Sequence, residues 1–203
     1  KNYLQKNMPE SLTARTFRGL KWSYTSTIST ALMQIVYTAV MARLLNPADF
    51  GLVAMSGVVL RFGSYFAQMG MSSAVIQKKN LSKEDINAAF TSSIFLGILF
   101  TALIVLLAPL ARFIFDNENV APIVRVMALS LFINGFSLTS IALLRREMRF
   151  KSLAVAEIIS FFIGYLIFGV GSALLGAGVW SLVIAALLSS SILAVFTVSM
   201  VKN

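Results

Sequence analysis

The chain has 203 residues, 58% of them hydrophobic and 12% charged, with a formal net charge of +9 and a mean hydropathy of +0.83. Soluble domains carry about a quarter charged residues, so this composition places the chain in lipid. It has neither histidine nor cysteine, which removes the commonest general base, the commonest metal ligand, thiolate metal sites and disulfides, and weighs against an enzyme.

Residues 1–21 carry Lys1, Lys6, Arg15, Arg18 and Lys21 against Glu10. An interfacial helix around Ser11–Leu20 and a solvated basic lead-in both fit that pattern. No cleavable signal peptide is visible, and a start at Lys1 rather than methionine suggests a part of a longer protein. Trp22–Ala42 is free of charge and long enough for a first span. Its Ser23, Ser26, Thr27, Thr30, Gln34, Tyr37 and Thr38 share one face, which suits either the wall of a polar interior or hydroxyl-mediated helix packing.

Arg43 closes that span and Asn46-Pro47 turns the chain, with Asn46 suited to an N-cap, Pro47 to the first helical position and Asp49 to the positive end of the dipole. The second span, Phe50–Ser73, holds Arg61 near its middle. On a helix, Gly57, Arg61, Ser64, Tyr65, Gln68 and Ser72 fall in one arc, and Leu52, Met55, Val59, Phe62, Phe66 and Met69 fall opposite. A guanidinium at that depth costs several kcal/mol unless it faces protein, water or an anion, so the polar arc should line an interior. A structural clamp on carbonyls or on an acid is the alternative for Arg61.

Gln77-Lys78-Lys79-Asn80 forms a basic loop, and Ser82 with Asp85 reads as a capping box opening the third span. That span, Ile86–Ala111, is almost wholly apolar after Ser93 and is expected to face lipid. The fourth, Val120–Leu144, has Arg125 little more than a turn inside, where it can snorkel to the interface. From Ile158 to Val201 no charge occurs. That length is about twice a hydrocarbon core, so it divides at Gly176-Ala177-Gly178 into spans Leu153–Leu175 and Val179–Val201. Glu157 is the only acid within an expected span, six residues past Lys151. An ion pair with Lys151 or Arg149 and a proton- or cation-coupling site are both open to it.

Six spans make an all-α polytopic fold. Thirteen of the seventeen basic residues, including Lys78, Lys79, Arg145, Arg146, Arg149 and Lys151, fall on the side of the N-terminus, against Arg43 and Arg112 opposite. By the positive-inside rule both termini are cytoplasmic. That placement makes nucleic acid an unsuitable partner for the charge. No phosphate loop, carboxylate pair or metal-ligand spacing calls for a cofactor.

Three segments carry a resemblance: Ala42-Arg43-Leu44-Leu45-Asn46-Pro47-Ala48-Asp49-Phe50-Gly51, Leu143-Leu144-Arg145-Arg146-Glu147-Met148-Arg149-Phe150-Lys151, and Gly176-Ala177-Gly178-Val179-Trp180-Ser181-Leu182. Over nearly its whole length the chain resembles bacterial polysaccharide exporters of the oligosaccharidyl-lipid flippase type. These belong to the MOP superfamily with the MATE exporters, and the colanic-acid, teichuronic-acid and O-antigen exporters are most similar. The resemblance implies a multi-pass inner-membrane transporter of two six-helix lobes that turns over an undecaprenyl-diphosphate-type oligosaccharide by alternating access. Six spans are one such lobe, so a C-terminal lobe or partner half is expected as a partner, besides membrane lipids. In that picture the diphosphate meets Arg61, assisted by Arg43 or Arg125, while Thr30, Gln34, Tyr65 and Gln68 contact sugar. A multidrug exporter of organic cations would need acids where this half has Arg61. A non-transporting scaffold of a polysaccharide assembly complex would need the polar faces of the first two spans packed together and dry.

Overall fold

The computed structural model describes residues 12–67 and 82–202. Six helices follow one another: α1 (Leu12–Leu44), α2 (Pro47–Ala67), α3 (Lys83–Phe115), α4 (Val120–Arg146), α5 (Phe150–Leu174) and α6 (Val179–Lys202). No strand occurs among the described residues, and the chain is a polytopic all-α membrane protein.

Five of these helices, rather than the expected six, are long and apolar enough to cross a bilayer over their described residues. The exception is α2. Its expected span runs on to Ser73, beyond the described residues, and the described part carries Ser56, Arg61 and Ser64 among its apolar positions. The expected Gln77–Asn80 loop and residues 1–11 also lie outside the described residues. From Leu12 onward, α1 is one unbroken helix, within which the stretch long and apolar enough to cross a bilayer runs from Gly19 to Leu44.

Local chemistry sets the helix ends. Pro47 opens α2, and the Asn46 amide donates to Asp49 Oδ2 at 3.2 Å. Ser82 and Asp85 form the reciprocal capping box, with the Ser82 amide donating to Asp85 Oδ2 at 3.0 Å and the Asp85 amide to Ser82 Oγ at 3.2 Å. Gly176 and Gly178 sit at φ +82° and +54°, left-handed values open to glycine, and make the turn between α5 and α6.

Among the described residues the bundle has two larger clusters of buried side chains, besides Ala142 and Leu143 near the end of α4. Leu60 of α2, Ile104, Ala108 and Ala111 of α3, and Val120, Val124, Ala128 and Leu131 of α4 form one. Tyr37, Met41 and Leu45 at the end of α1, Ala173 of α5, and Leu182 and Ala185 of α6 form the other. The α4–α6 seam joins the halves, while α1 packs on α5 and α2 packs on α3 and α4. Although consecutive, α1 and α2 share almost no packing. A groove opens between them.

The third span does not simply face lipid. Ser93, Gly97, Ile104, Ala108 and Ala111 bury one stripe of α3 against its neighbours, while Phe95, Leu99, Leu106 and Phe113 remain exposed. Small residues let the backbones approach: a side chain at Gly97 would lie 3.0 Å from the Leu131 carbonyl oxygen, and one at Gly135 would lie 2.8 Å from that of Ser93. Without a hydrophobic driving force in lipid, such close contact and cross-helix bonds hold helices together. Ser93 and Thr139 hydroxyls meet at 3.2 Å, and the Thr101 hydroxyl donates to the Ala128 carbonyl at 3.1 Å.

Candidate functional site

The groove between α1 and α2 has a volume of about 610 Å³. Gln34, Tyr37 and Thr38 line it from α1, and Phe50, Val53, Ala54, Gly57, Val58 and Arg61 from α2. Met127 of α4, Tyr165 of α5 and Leu182 and Ala186 of α6 form its floor. Polar groups therefore gather on one wall and at the far corner, over an apolar base. Among the described residues no acid lines it.

Arg61 supplies its charge. It lies fourteen residues beyond Pro47, about 21 Å along the helix. The side chain is exposed, and among the described residues no carboxylate stands within ion-pair distance of it. Its carbonyl accepts from Ser64 Oγ at 2.9 Å. A rigid, permanently charged fork with no counter-ion among the described residues suits a phosphate or carboxylate brought to it.

At the opposite wall stands an aromatic cluster. Tyr37 meets Tyr165 edge-on with ring centres 5.0 Å apart, and Phe161 stacks on Tyr165 at 4.5 Å. Tyr37 is 3% exposed, and its hydroxyl has no hydrogen-bond partner. The cluster sits where α5 departs from α-helical geometry: Phe162–Gly169 is π-helical, a feature frequent at functional sites. Two glycines in this segment permit the contact. A side chain at Gly164 would strike the Ser189 backbone of α6, and one at Gly169 would lie 2.9 Å from Ala185 Cβ and 3.2 Å from the Tyr37 ring.

The residues singled out from sequence are thus dispersed. Gln34 and Arg61 line the groove together, and Tyr65 adjoins Arg61 on the outer flank of α2, with Val58 and Phe62. Gln68 lies outside the described residues. Thr30 is absent from the groove lining, and its hydroxyl donates to the Ser26 carbonyl at 2.8 Å. Thr25 and Thr27 likewise bond carbonyls of their own helix. Arg43 ends α1 and Arg125 is exposed in the second turn of α4; neither lines the groove.

Glu157 is paired differently from expectation. It accepts a 2.6 Å hydrogen bond from Ser26 Oγ, tying α5 to α1. Lys151 lies over the Trp22 ring at 5.4 Å. Arg149 approaches Glu147 at 3.6 Å and donates to the Met200 carbonyl at 3.0 Å. Residues 151 and 157 are six apart, which turns them about 120° from one another on a helix, so they cannot share a face. Arg149 precedes the first turn and instead meets the negative end of the α6 dipole.

Sequence reasoning passed over Tyr165. Its signal was a phenol in an otherwise apolar run, flanked by Gly164 and Gly169.

A family model described as polysaccharide biosynthesis protein matches residues 40–203. The succinoglycan biosynthesis transport protein ExoT of Rhizobium meliloti is 30% identical over 86% of this chain and 35% of its own length. An uncharacterized membrane protein in the cps region of Klebsiella pneumoniae is 28% identical over 76% of this chain and 32% of its own. The lipopolysaccharide biosynthesis protein WzxC of Escherichia coli is 25% identical over 72% and 30%. The chain spans about a third of the length of the curated relatives it matches. No solved structure matches it.

Proposed function

The chain belongs to the polysaccharide biosynthesis protein family, and from that premise we propose that it forms one lobe of an exporter that carries a lipid-linked anionic oligosaccharide across the bacterial inner membrane. The observation that carries this reading is the groove between α1 and α2: its described lining residues include one fixed cation, fourteen residues into α2, and no acid. Arg61 meets the passenger's diphosphate there, and Gln34 and Thr38 offer polar contacts to sugar. A second lobe, in the remaining length of the protein or in a partner chain, closes the open side. Rocking of the two lobes about this midplane site exposes it to each face of the membrane in turn. Both termini of the lobe lie in the cytoplasm, since the basic loops gather at that end.

The names of the relatives support the cargo class, as they refer to lipopolysaccharide, succinoglycan transport and teichuronic acid. An organic-cation exporter fits less well, because a cation entering this groove meets Arg61 without a counter-charge. A dry scaffold fits less well too, since the polar faces of α1 and α2 are not packed on each other.

The test is glycan export in cells carrying the full-length gene with Arg61→Ala, Arg61→Lys or Arg61→Glu, at matched expression. Loss with Ala and Glu and partial rescue with Lys are expected, because Lys keeps the charge but not the fork. Normal export by the Glu variant would overturn the role of Arg61.

A further inference from the structure

An α-helix turns about 100° per residue, so Gly169 and Ala173, twelve and sixteen residues past Glu157, should lie about 120° and 160° around α5 from it. Both nevertheless meet the helix that Glu157 meets. Glu157 accepts from Ser26 of α1, a side chain at Gly169 would lie 3.2 Å from the Tyr37 ring of α1, and Ala173 packs with Tyr37, Met41 and Leu45 of α1. The π-helical segment, Phe162–Gly169, separates Glu157 from these later contacts and resolves the mismatch. Its i→i+5 bonds take up more residues per turn than α-helical ones. Counting one residue of the segment as surplus brings Gly169 to within about 20° of Glu157. At eight residues the segment is also longer than the single turn that π-helix usually makes.

This register is held against a cost. The hydroxyls of Tyr37 and of Ser160, which stands two residues before the segment, are buried without a hydrogen-bond partner among the described residues, and unmade buried donors raise the energy of the arrangement that buries them. Taking the surplus residue back into α geometry turns the part of α5 beyond the segment by about 100°. Phe168, eleven residues and so about 20° from Glu157 in an uninterrupted α-helix, then takes the place of Gly169. It is exposed in the observed register. No room is ready for it on the α1 side: at Gly169 even a methyl group would lie 2.9 Å from Ala185 Cβ of α6. The Tyr37 end of α1 must therefore move off α6, and with it the wall of the groove that carries Tyr37 and Thr38, while Tyr165 turns in its floor.

We propose that α5 is a register switch, alternating between this π-helical register and an α-helical one and so reshaping the groove during transport. Its first half stays in place, because Phe150 lies against Gly19, Lys151 over the Trp22 ring and Glu157 on Ser26. The half beyond the segment turns as a unit, since packed helices pass between discrete arrangements rather than deform continuously. The movement takes place inside this lobe, in addition to rocking between lobes, and only its use in transport rests on the export reading proposed above.

Spin-label distances in the full-length protein in lipid nanodiscs test this. One label is placed at Leu106 of α3, across the α4–α6 seam from α5. The second is placed at Phe168, near the end of the segment that turns, or at Val155, before it; all three positions are exposed. A turn of about 100° at the surface of a helix about 10–12 Å wide carries the Phe168 label about 8 Å. The Phe168 pair is therefore expected to show two distances and the Val155 pair one. Deletion of Ile163 removes the surplus residue, and that protein should melt no lower than wild type, show a single Phe168 distance and lose export. A single Phe168 distance in the undeleted protein overturns the switch, as do two distances that survive the deletion. A deletion variant that melts well below wild type shows that no residue of the segment is surplus, which overturns it too. Normal export by a deletion variant with a single distance overturns its use in transport. None of these results bears on the anionic-passenger reading, which stands or falls with the Arg61 variants.

Discussion

Replacing Gly135 by alanine probes the seam that holds α3 to α4. The added methyl would lie 2.8 Å from the Ser93 carbonyl oxygen and 3.3 Å from Ile94 Cα, both backbone atoms that cannot rotate away. Ordinary contact begins near 3.4 Å, so the helices must part by about 0.6 Å (3.4 minus 2.8) at this point, forfeiting part of the dispersion well along the seam. Overpacking of this kind costs about 1–3 kcal/mol. The Ser93–Thr139 and Thr101–Ala128 hydrogen bonds, at 3.2 and 3.1 Å, stretch with it, at about 0.6 kcal/mol each in lipid. Alanine returns about 1 kcal/mol of helix propensity, which leaves a net loss of about 1–3 kcal/mol. Thermal unfolding of the full-length protein in detergent, followed by the monodisperse fraction, reads this directly. Gly51→Ala is the control, because nothing lies within 4 Å of its added methyl. Gly51→Ala is expected to melt slightly above wild type, by the propensity gain alone; a Gly135→Ala protein that also melts at or above wild type would refute the close-packed seam.

The groove and the carboxylate lend themselves to two further measurements. In this cysteine-free chain, cysteines introduced for Gln34 and Thr38 should react with a membrane-impermeant maleimide from one side of the membrane. A cysteine for Ser93, 2% exposed against α4, should not; protection of all three would mean the groove is dry. Glu157→Gln keeps an acceptor for the Ser26 hydroxyl, so export and stability should stay near wild type. Glu157→Ala leaves Ser26, 3% exposed, with its cross-helix partner removed, and should cost about 1–3 kcal/mol. If Glu157→Gln blocks export in a stable protein, the carboxylate's charge serves coupling rather than anchoring.

Much of this architecture is written locally. A bilayer core about 30 Å thick demands about 20 apolar residues in each crossing helix, so uncharged runs mark the spans without any knowledge of their neighbours. Asn46-Pro47, the Ser82–Asp85 box and Gly176–Gly178 act within a few residues of themselves and end the helices where their chemistry says they must. Helical period alone also places Arg61 on a polar arc of α2.

What no single helix encodes is its rotation and distance relative to the others. The hydroxyls of α1 form one face in sequence, yet Ser26 turns to Glu157, Thr30 to its own backbone, and only Gln34, Tyr37 and Thr38 reach the groove. Arg43 and Arg125 share the charge of Arg61 but not its place, because each lies near the end of a helix and away from the groove. Tyr165 joins the site from a helix 104 positions further along, brought there by the small residues that let α5 close on α1 and α6. A helix's own period fixes which residues share a face. Which face meets which neighbour is settled by where small side chains let backbones approach, and that is a property of pairs of helices.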